Sequence, residues 1–339
     1  MERRTPNPIL RKEIAMSFDV VLRSIFSATF LASVLRISTP LILPALGGLV
    51  TELSGAINIA LEGIMLTSAF TGVVVSAFTQ NIWLGVLGGV VAGVLIAFIL
   101  GWFHLYLETD IILAGTAINI LATGGTIFLL YVLTGDKGNS SSLASGMVPN
   151  VNIPLIKDIP FLGEIISGQH IFVWVAFLLT WLVAIYLYRT PWGAHLRAVG
   201  ENPEAAATLG IDVKRTQMVA LLLSGFLASF GGLTMSMAYL SLFQREMTAG
   251  RGFIALAAVY LGGRKPWGTL VAAIIFGFAD ALSNQLGSLA IPSQLVQMIP
   301  YVITILALVV YALREQAIKR ERRRKFQQQQ EQAHAEAEA

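Results

Sequence analysis

Residues 82–106 read IWLGVLGGVVAGVLIAFILGWFHLY, a run without a single Asp, Glu, Lys or Arg. A helix needs about 20 mostly apolar residues to cross a bilayer core, so this stretch is a membrane span by length and composition. Gly85, Gly88, Gly89, Gly93 and Gly101 recur along it, as Gly225, Gly231 and Gly232 do later. Such small residues let neighbouring membrane helices approach closely. Working outward, similar runs lie near 25–50, 57–79, 111–134, 169–188, 216–240, 267–289 and 298–314. A further run, 252–263, is too short to cross alone, and extending it backward would bury Gln244, Arg245 and Glu246. A broken or re-entrant helix is expected there, its freed backbone sheltered by protein or a water-filled cavity. The fold class is all-α: a polytopic transmembrane helical bundle of about eight or nine membrane segments.

Composition agrees. The 339 residues are 55% hydrophobic and 13% charged, with a mean hydropathy of +0.70, more apolar surface than one water-soluble core hides. The absence of Cys excludes disulfides and thiolate chemistry, and the four His are scattered without metal-ligand spacing. No cleavable leader is expected, because residues 1–16 are polar and basic. Three parts follow: a basic arm (1–20), the transmembrane domain (21–315) and a charged, Gln-rich tail (316–339) expected to be solvated helix or disorder. Lys and Arg favour cytoplasmic loops. Arg189, Arg197, Lys214 and Arg215 therefore place 189–215 inside with the tail, and residues 135–168, with only Lys137 and Lys157, outside. Arg264 and Lys265 also fall inside if 252–263 returns across the membrane. Counting back puts the N-terminus outside, whereas Arg3, Arg4, Arg11 and Lys12 favour the inside.

The loop after Tyr188 carries a short helix with explicit ends. Asn202 suits an N-cap, Pro203 the first helical position, and Glu204 the positive end of the dipole. Gly210 offers a left-handed stop after about two turns. So short a helix does not hold itself in water, so it is expected to rest on something, such as another protein.

At this point the sequence resembles the permeases of bacterial ABC importers for ribose-type sugars, branched-chain amino acids and nucleosides. The resemblance runs from about residue 25 to 313. It is carried by G-x-x-x-R-A-V-G-E-N-P-E-A-A at Gly193–Ala206, by LSGAINIALEG at Leu53–Gly63, and by Leu261-Gly262-Gly263 followed by Pro266-Trp267-Gly268-Thr269. It implies that the loop helix is a cytoplasmic coupling helix docking on an ATPase subunit through Arg197, Glu201, Asn202, Ala205, Ala206 and Gly210. The partners it implies are that ATPase, which would hold ATP and Mg, a second permease subunit (itself or a similar chain), and a lipid-anchored or periplasmic solute-binding protein. Membrane lipid and a small polar solute complete the set, with no nucleic acid. The Asn58…Glu62-Gly63 form looks most like the nucleoside and simple-sugar branch, and nucleosides are the expected solute, simple sugars the alternative. The implied place is the bacterial cytoplasmic membrane.

Polar residues within the spans are the other candidates. Asn58, Glu62, Asn119, Asp280 and Asn284 are expensive in a bilayer unless paired or hydrated, so they should face the bundle. Asn58 and Glu62, and Asp280 and Asn284, stand four apart on one helical face. They are candidates for a translocation path, and equally for helix-to-helix hydrogen bonding. No Gly-Lys dipeptide occurs, hence no phosphate loop, and no H-E-x-x-H or G-x-S-x-G points to catalysis. Neither a catalytic residue nor a metal or cofactor is expected in this chain. An ion-driven secondary transporter is the remaining alternative, with Asp280 and the break before 263 as its midplane site.

Overall fold

A computed structural model describes residues 27–152, 162–287 and isolated positions between 298 and 316. The basic arm, the expected span at 298–314 apart from isolated helical positions, and the tail lie outside the described residues.

Among the described residues seven helices are long and apolar enough to cross a membrane. They are α1 (Ala28–Glu52), α2 (Leu61–Thr79), α3 (Ile82–Leu105), α4 (Ile111–Thr134), α6 (Ile171–Arg189), α9 (Val213–Leu233) and α11 (Pro266–Leu286). The shorter α5 (Leu162–Ile166), α7 (Pro191–Glu201), α8 (Pro203–Thr208) and α10 (Arg251–Leu261) complete the set, with strands β1 (Asn150–Val151) and β2 (Gln169–His170) paired antiparallel between α4 and α6. Seven crossings are thus described; 252–263 forms the half-helix α10, and the expected span at 298–314 falls outside the described residues.

Local chemistry sets the ends. Ser27 caps α1 by accepting from the Phe30 N–H at 3.2 Å. Asn81 accepts from Trp83 and Leu84 at the start of α3, and Asp110 from Ile112 and Leu113 at the start of α4. At 1.5 Å per residue the 25 residues of α1 rise about 37 Å, more than a bilayer core requires.

Burial sorts the helices. The apolar windows of α1 and α9 are 72% buried, those of α3 and α4 only 22%, so the first pair forms the interior and the second lies at the periphery of the chain. One apolar core joins α2, α3 and α9 through residues such as Ile64, Met65, Ala97 and Leu233. A second joins α1, α10 and α11 through Leu43, Leu46, Ala258 and Phe276. Phe230 of α9 packs against both. After Leu233, α9 widens into a π-helical turn, Thr234–Tyr239.

Two segments leave their helices. Residues 53–60 run between α1 and α2, and residues 240–250 between the π turn and α10. The second is covered by the loop after α4: the Ser140 N–H donates to the Phe243 carbonyl at 2.9 Å, the Ser140 hydroxyl accepts from the Phe243 N–H at 2.8 Å, and Arg245 N–H donates to the Gly138 carbonyl at 2.9 Å. The sheltered break foreseen from Gln244–Glu246 is therefore present. Arg264 lies 2.9 Å from Glu52 at the end of α1, which places it on the same face as the 189–215 loop, where the charge pattern put it. The N-terminal part of α1 lies toward the opposite face, where Gln169 of β2 donates to the Ala32 carbonyl at 3.2 Å.

A β-carbon at Gly232 would overlap the Met65 backbone carbonyl, whereas one at Gly124 would meet nothing within 4 Å. Gly232→Ala is expected to lower the thermal stability of the detergent-solubilised chain by about 1–3 kcal/mol, an overpacking effect. Gly124→Ala should leave stability unchanged or raise it by roughly 0.5–1 kcal/mol, since it removes only the conformational cost of a mid-helix glycine.

Candidate functional site

The loop between α6 and α9 is two capped helices in series. The Thr190 hydroxyl accepts from the Gly193 N–H at 3.1 Å, with Pro191 at the first position of α7. Asn202 ends α7 and caps α8, its Oδ1 accepting from the Ala205 N–H at 3.0 Å, with Pro203 following. Gly210 takes φ +81° and stops α8. Asp212 then accepts from the Arg215 N–H at 2.9 Å and starts α9.

The α7 helix buries Gly193, Leu196 and Val199. Its last turn sits directly on the end of α1: a β-carbon at Gly200 would overlap the Leu53 carbonyl. Beside it Gln217 donates to the Ser54 carbonyl at 3.2 Å. Glu52, one residue before Leu53, accepts from Tyr260 at 2.8 Å and pairs with Arg264 at 2.9 Å, tying α1 to the far end of α10. The outer surface of this corner is open. Arg197, Glu201, Asn202, Ala205 and Gly210 are exposed, Arg197 lies 5.0 Å over the Tyr188 ring, and Leu209 is 79% exposed. Ala206 differs from the others: it is 2% exposed, buried within this chain, and its carbonyl accepts from the Leu209 and Ile211 N–H groups at 3.2 Å each.

Three interior candidates hold the two breaks. Asn58, fully buried, donates to Ser224 Oγ at 2.9 Å and accepts from the Ala60 N–H at 2.9 Å. Asn119 of α4 accepts from the Gly63 N–H at 2.7 Å and donates to the Ile59 carbonyl at 2.9 Å. Glu62 spends both carboxylate oxygens on α10, accepting from the N–H groups of Gly250 and Gly252 at 2.7 Å each. An acidic group at a helix N-terminus also complements its dipole.

Asp280 and Asn284 lie elsewhere, at a cavity of about 430 Å³ between α1, the π turn, α10, α11 and the β hairpin. Arg251 donates to Asp280 at 2.8 Å, and Arg36, His170 and Tyr239 complete the polar wall. The Tyr239 hydroxyl donates to the Arg36 carbonyl, a group left open because Pro40 has no N–H to offer it. Burial pushes the His170 imidazole down to about 4, with the Arg36 charge adding to the effect and its own backbone opposing it. The ring is therefore neutral at pH 7.

The sequence reading passed over Arg36, His170, Tyr239 and Arg251. Arg36 and Arg251 had a signal: each is a cation beside or inside an apolar run. His170 and Tyr239 had none, since their meeting depends on the hairpin and the π turn.

A family described as the permease component of the branched-chain amino acid transport system matches residues 30–308. The guanosine ABC transporter permease protein NupQ of Bacillus subtilis is 37% identical over 83% of this chain and 91% of its own length. The nucleoside ABC transporter permease protein NupC of Lactococcus lactis is 35% identical over the same shares. A solved structure of a metal-chelate type ABC transporter in an inward-facing conformation superposes at TM-score 0.50 with 16% identity, covering 86% of this chain and 90% of that one. That likeness concerns the fold alone.

Glu62→Ala is expected to destabilise the solubilised chain by about 3–5 kcal/mol, because it strands two N–H groups that a carboxylate now satisfies. Limited proteolysis should then cut between residues 240 and 250 faster than in the parent, and unchanged melting and cleavage would refute the clasp.

Proposed function

The chain belongs to the family of permease components of branched-chain amino acid transport systems, and on that premise we propose that it is the membrane-spanning subunit of an ATP-driven ABC importer for nucleosides. The likeness to guanosine and nucleoside permeases over most of the chain supports this solute class ahead of simple sugars. It is a multi-pass protein of the cell membrane and a transport subunit. ATP and Mg²⁺ belong to a partner ATPase in this reading, which the missing Gly-Lys dipeptide supports. A lipid-anchored or periplasmic binding protein delivers the solute, and a second permease subunit, similar or identical, closes the pathway.

The observation that carries the coupling is the seating of α7 and α8. A six-residue helix is far too short to persist alone, yet α8 exposes every residue except Ala206 and joins at Asn202 to a helix in backbone contact with α1. Such a corner suits a partner that pushes. Leu209 is its most exposed apolar knob, and Arg197 and Glu201 are exposed on α7, where they can orient a charged partner.

The test is a mild-detergent pull-down of the tagged chain from its native membrane, with nucleoside uptake and ATP hydrolysis measured alongside. The parent should bring an ATPase and a binding protein with it. Leu209→Asp should weaken ATPase recovery at least about tenfold, the scale of an interface hot spot. Gly200→Val should keep the ATPase bound while uptake per ATP hydrolysed falls, because it pries α7 from Leu53 rather than altering the outer surface. Full recovery and normal uptake in both variants would remove the docking assignment. Ion-driven uptake by the chain alone would replace it with a secondary transporter.

A further inference from the structure

A second pocket, of about 260 Å³, opens where α6, α7 and the start of α9 meet. Its lining spans two levels of the molecule. Tyr186 stands three residues before the end of α6 and Val219 six residues after the start of α9. At about 1.5 Å per residue they lie about 5 and 9 Å inside two helices long and apolar enough to cross a membrane. Trp192, His195, Asp212 and Arg215 come from the polar loop and its return. The pocket therefore reaches from the loop into the outermost turns of the spans, the depth of lipid headgroups and the chain ends attached to them. Trp and Tyr favour that level of a bilayer. Its apolar wall is open, with Trp192 62% and Val219 37% exposed.

The polar wall carries both signs of charge. Asp212 and Arg215 are exposed, and the ion pairs among the described residues join Arg245 to Glu246, Arg251 to Asp280 and Arg264 to Glu52. An anion and a cation thus line one pocket without forming a pair. An occupant of a single sign meets its like charge there: a free phosphate faces Asp212, and a free amine faces Arg215. A zwitterion satisfies both.

We propose that this pocket holds the headgroup of a membrane phospholipid that carries an ammonium and a phosphate, phosphatidylethanolamine. The phosphate sits on Arg215, the ammonium on Asp212, and the first carbons of the acyl chains on Trp192 and Val219. Small-molecule sites begin at about 300 Å³, so a pocket of about 260 Å³ suits a headgroup whose chains stay in the bilayer. Basic pockets between membrane helices hold lipid headgroups by their charge. The carboxylate here adds selection for the ammonium. Leu209 and Gly210, where α8 ends, complete the lining. An occupied pocket therefore braces the corner made by α7 and α8, whatever solute the permease carries.

Native mass spectrometry of the full, detergent-solubilised chain measures the affinity, with phosphatidylethanolamine, phosphatidylglycerol and phosphatidylcholine of identical chains titrated separately. Phosphatidylethanolamine should bind at least about fivefold tighter than phosphatidylglycerol, the scale of one charge at a membrane surface. Asp212→Asn keeps the α9 cap, since Asn caps as well as Asp, and should bring that ratio to about one by removing only the charge. Arg215→Gln should weaken phosphatidylethanolamine about tenfold through the lost charged hydrogen bond. If Arg215→Gln is poorly recovered, Val219→Trp, at an exposed position, decides by filling the apolar end: weaker binding upholds the site and unchanged binding overturns it. Equal affinity for the three lipids in the parent would mean a nonspecific lipid shell, and a preference for phosphatidylglycerol a plain anion site; either overturns the proposal. So does a preference for phosphatidylethanolamine that survives both Asp212→Asn and Arg215→Gln, because the lipid then binds elsewhere. Soluble phosphoethanolamine, the headgroup alone, should compete only weakly; binding as tight as the lipid's would make the occupant a small molecule and sink the lipid assignment.

Discussion

Inside a bilayer a peptide group that leaves its helix has no water to bond, and two segments of this chain leave theirs. The extended 53–60 stretch and the 240–250 stretch are tolerable because they meet. Asn58 and Asn119 bond the first to itself, to α9 and to α4. Glu62, at the start of α2, closes the second by taking the free N–H groups of α10. Without that carboxylate, α10 would begin in the membrane interior with two of its first donors open. The half-helix, the turn to α11 and the cavity wall beyond it all depend on this clasp.

The same segments link the two faces of the molecule. From the outer surface of α8, contact runs through α7 to the Leu53 carbonyl, from neighbouring Glu52 to Tyr260 and Arg264 at one end of α10, and from Arg251 at its other end to Asp280. Backbone touching backbone, then charge touching charge, leaves little slack. A push at the corner is carried by parts that are individually stiff, since Gly200 has no side chain to deform and the Arg251 and Asp280 side chains are mostly buried.

Most of this fold was legible because its signals are local. Apolar length fixed the spans, and the Asn202-Pro203…Gly210 pattern fixed α8 with its cap and stop. Thr190-Pro191 carries the same cap-then-proline signal and marks α7. The interior polar residues were found as a set and not sorted. Sorting them needs partners distant in sequence: Glu62 bonds backbone groups 188 and 190 residues away, and nothing near Glu62 announces Gly250. The burial of Ala206 was not legible for a related reason, since the six residues of α8 carry no periodicity long enough to tell its two sides apart.

Pro40 has an effect well beyond its own helix. By withholding an N–H it opens the Arg36 carbonyl, and Tyr239, 203 residues further along the chain, spends its only proton there. The phenol at the cavity wall is thereby stripped of its donor role and turned toward any occupant as lone pairs alone. A backbone imino acid thus decides the hydrogen-bond polarity of a distant aromatic side chain. Whatever enters the cavity meets an acceptor at Tyr239, although a free tyrosine would offer either.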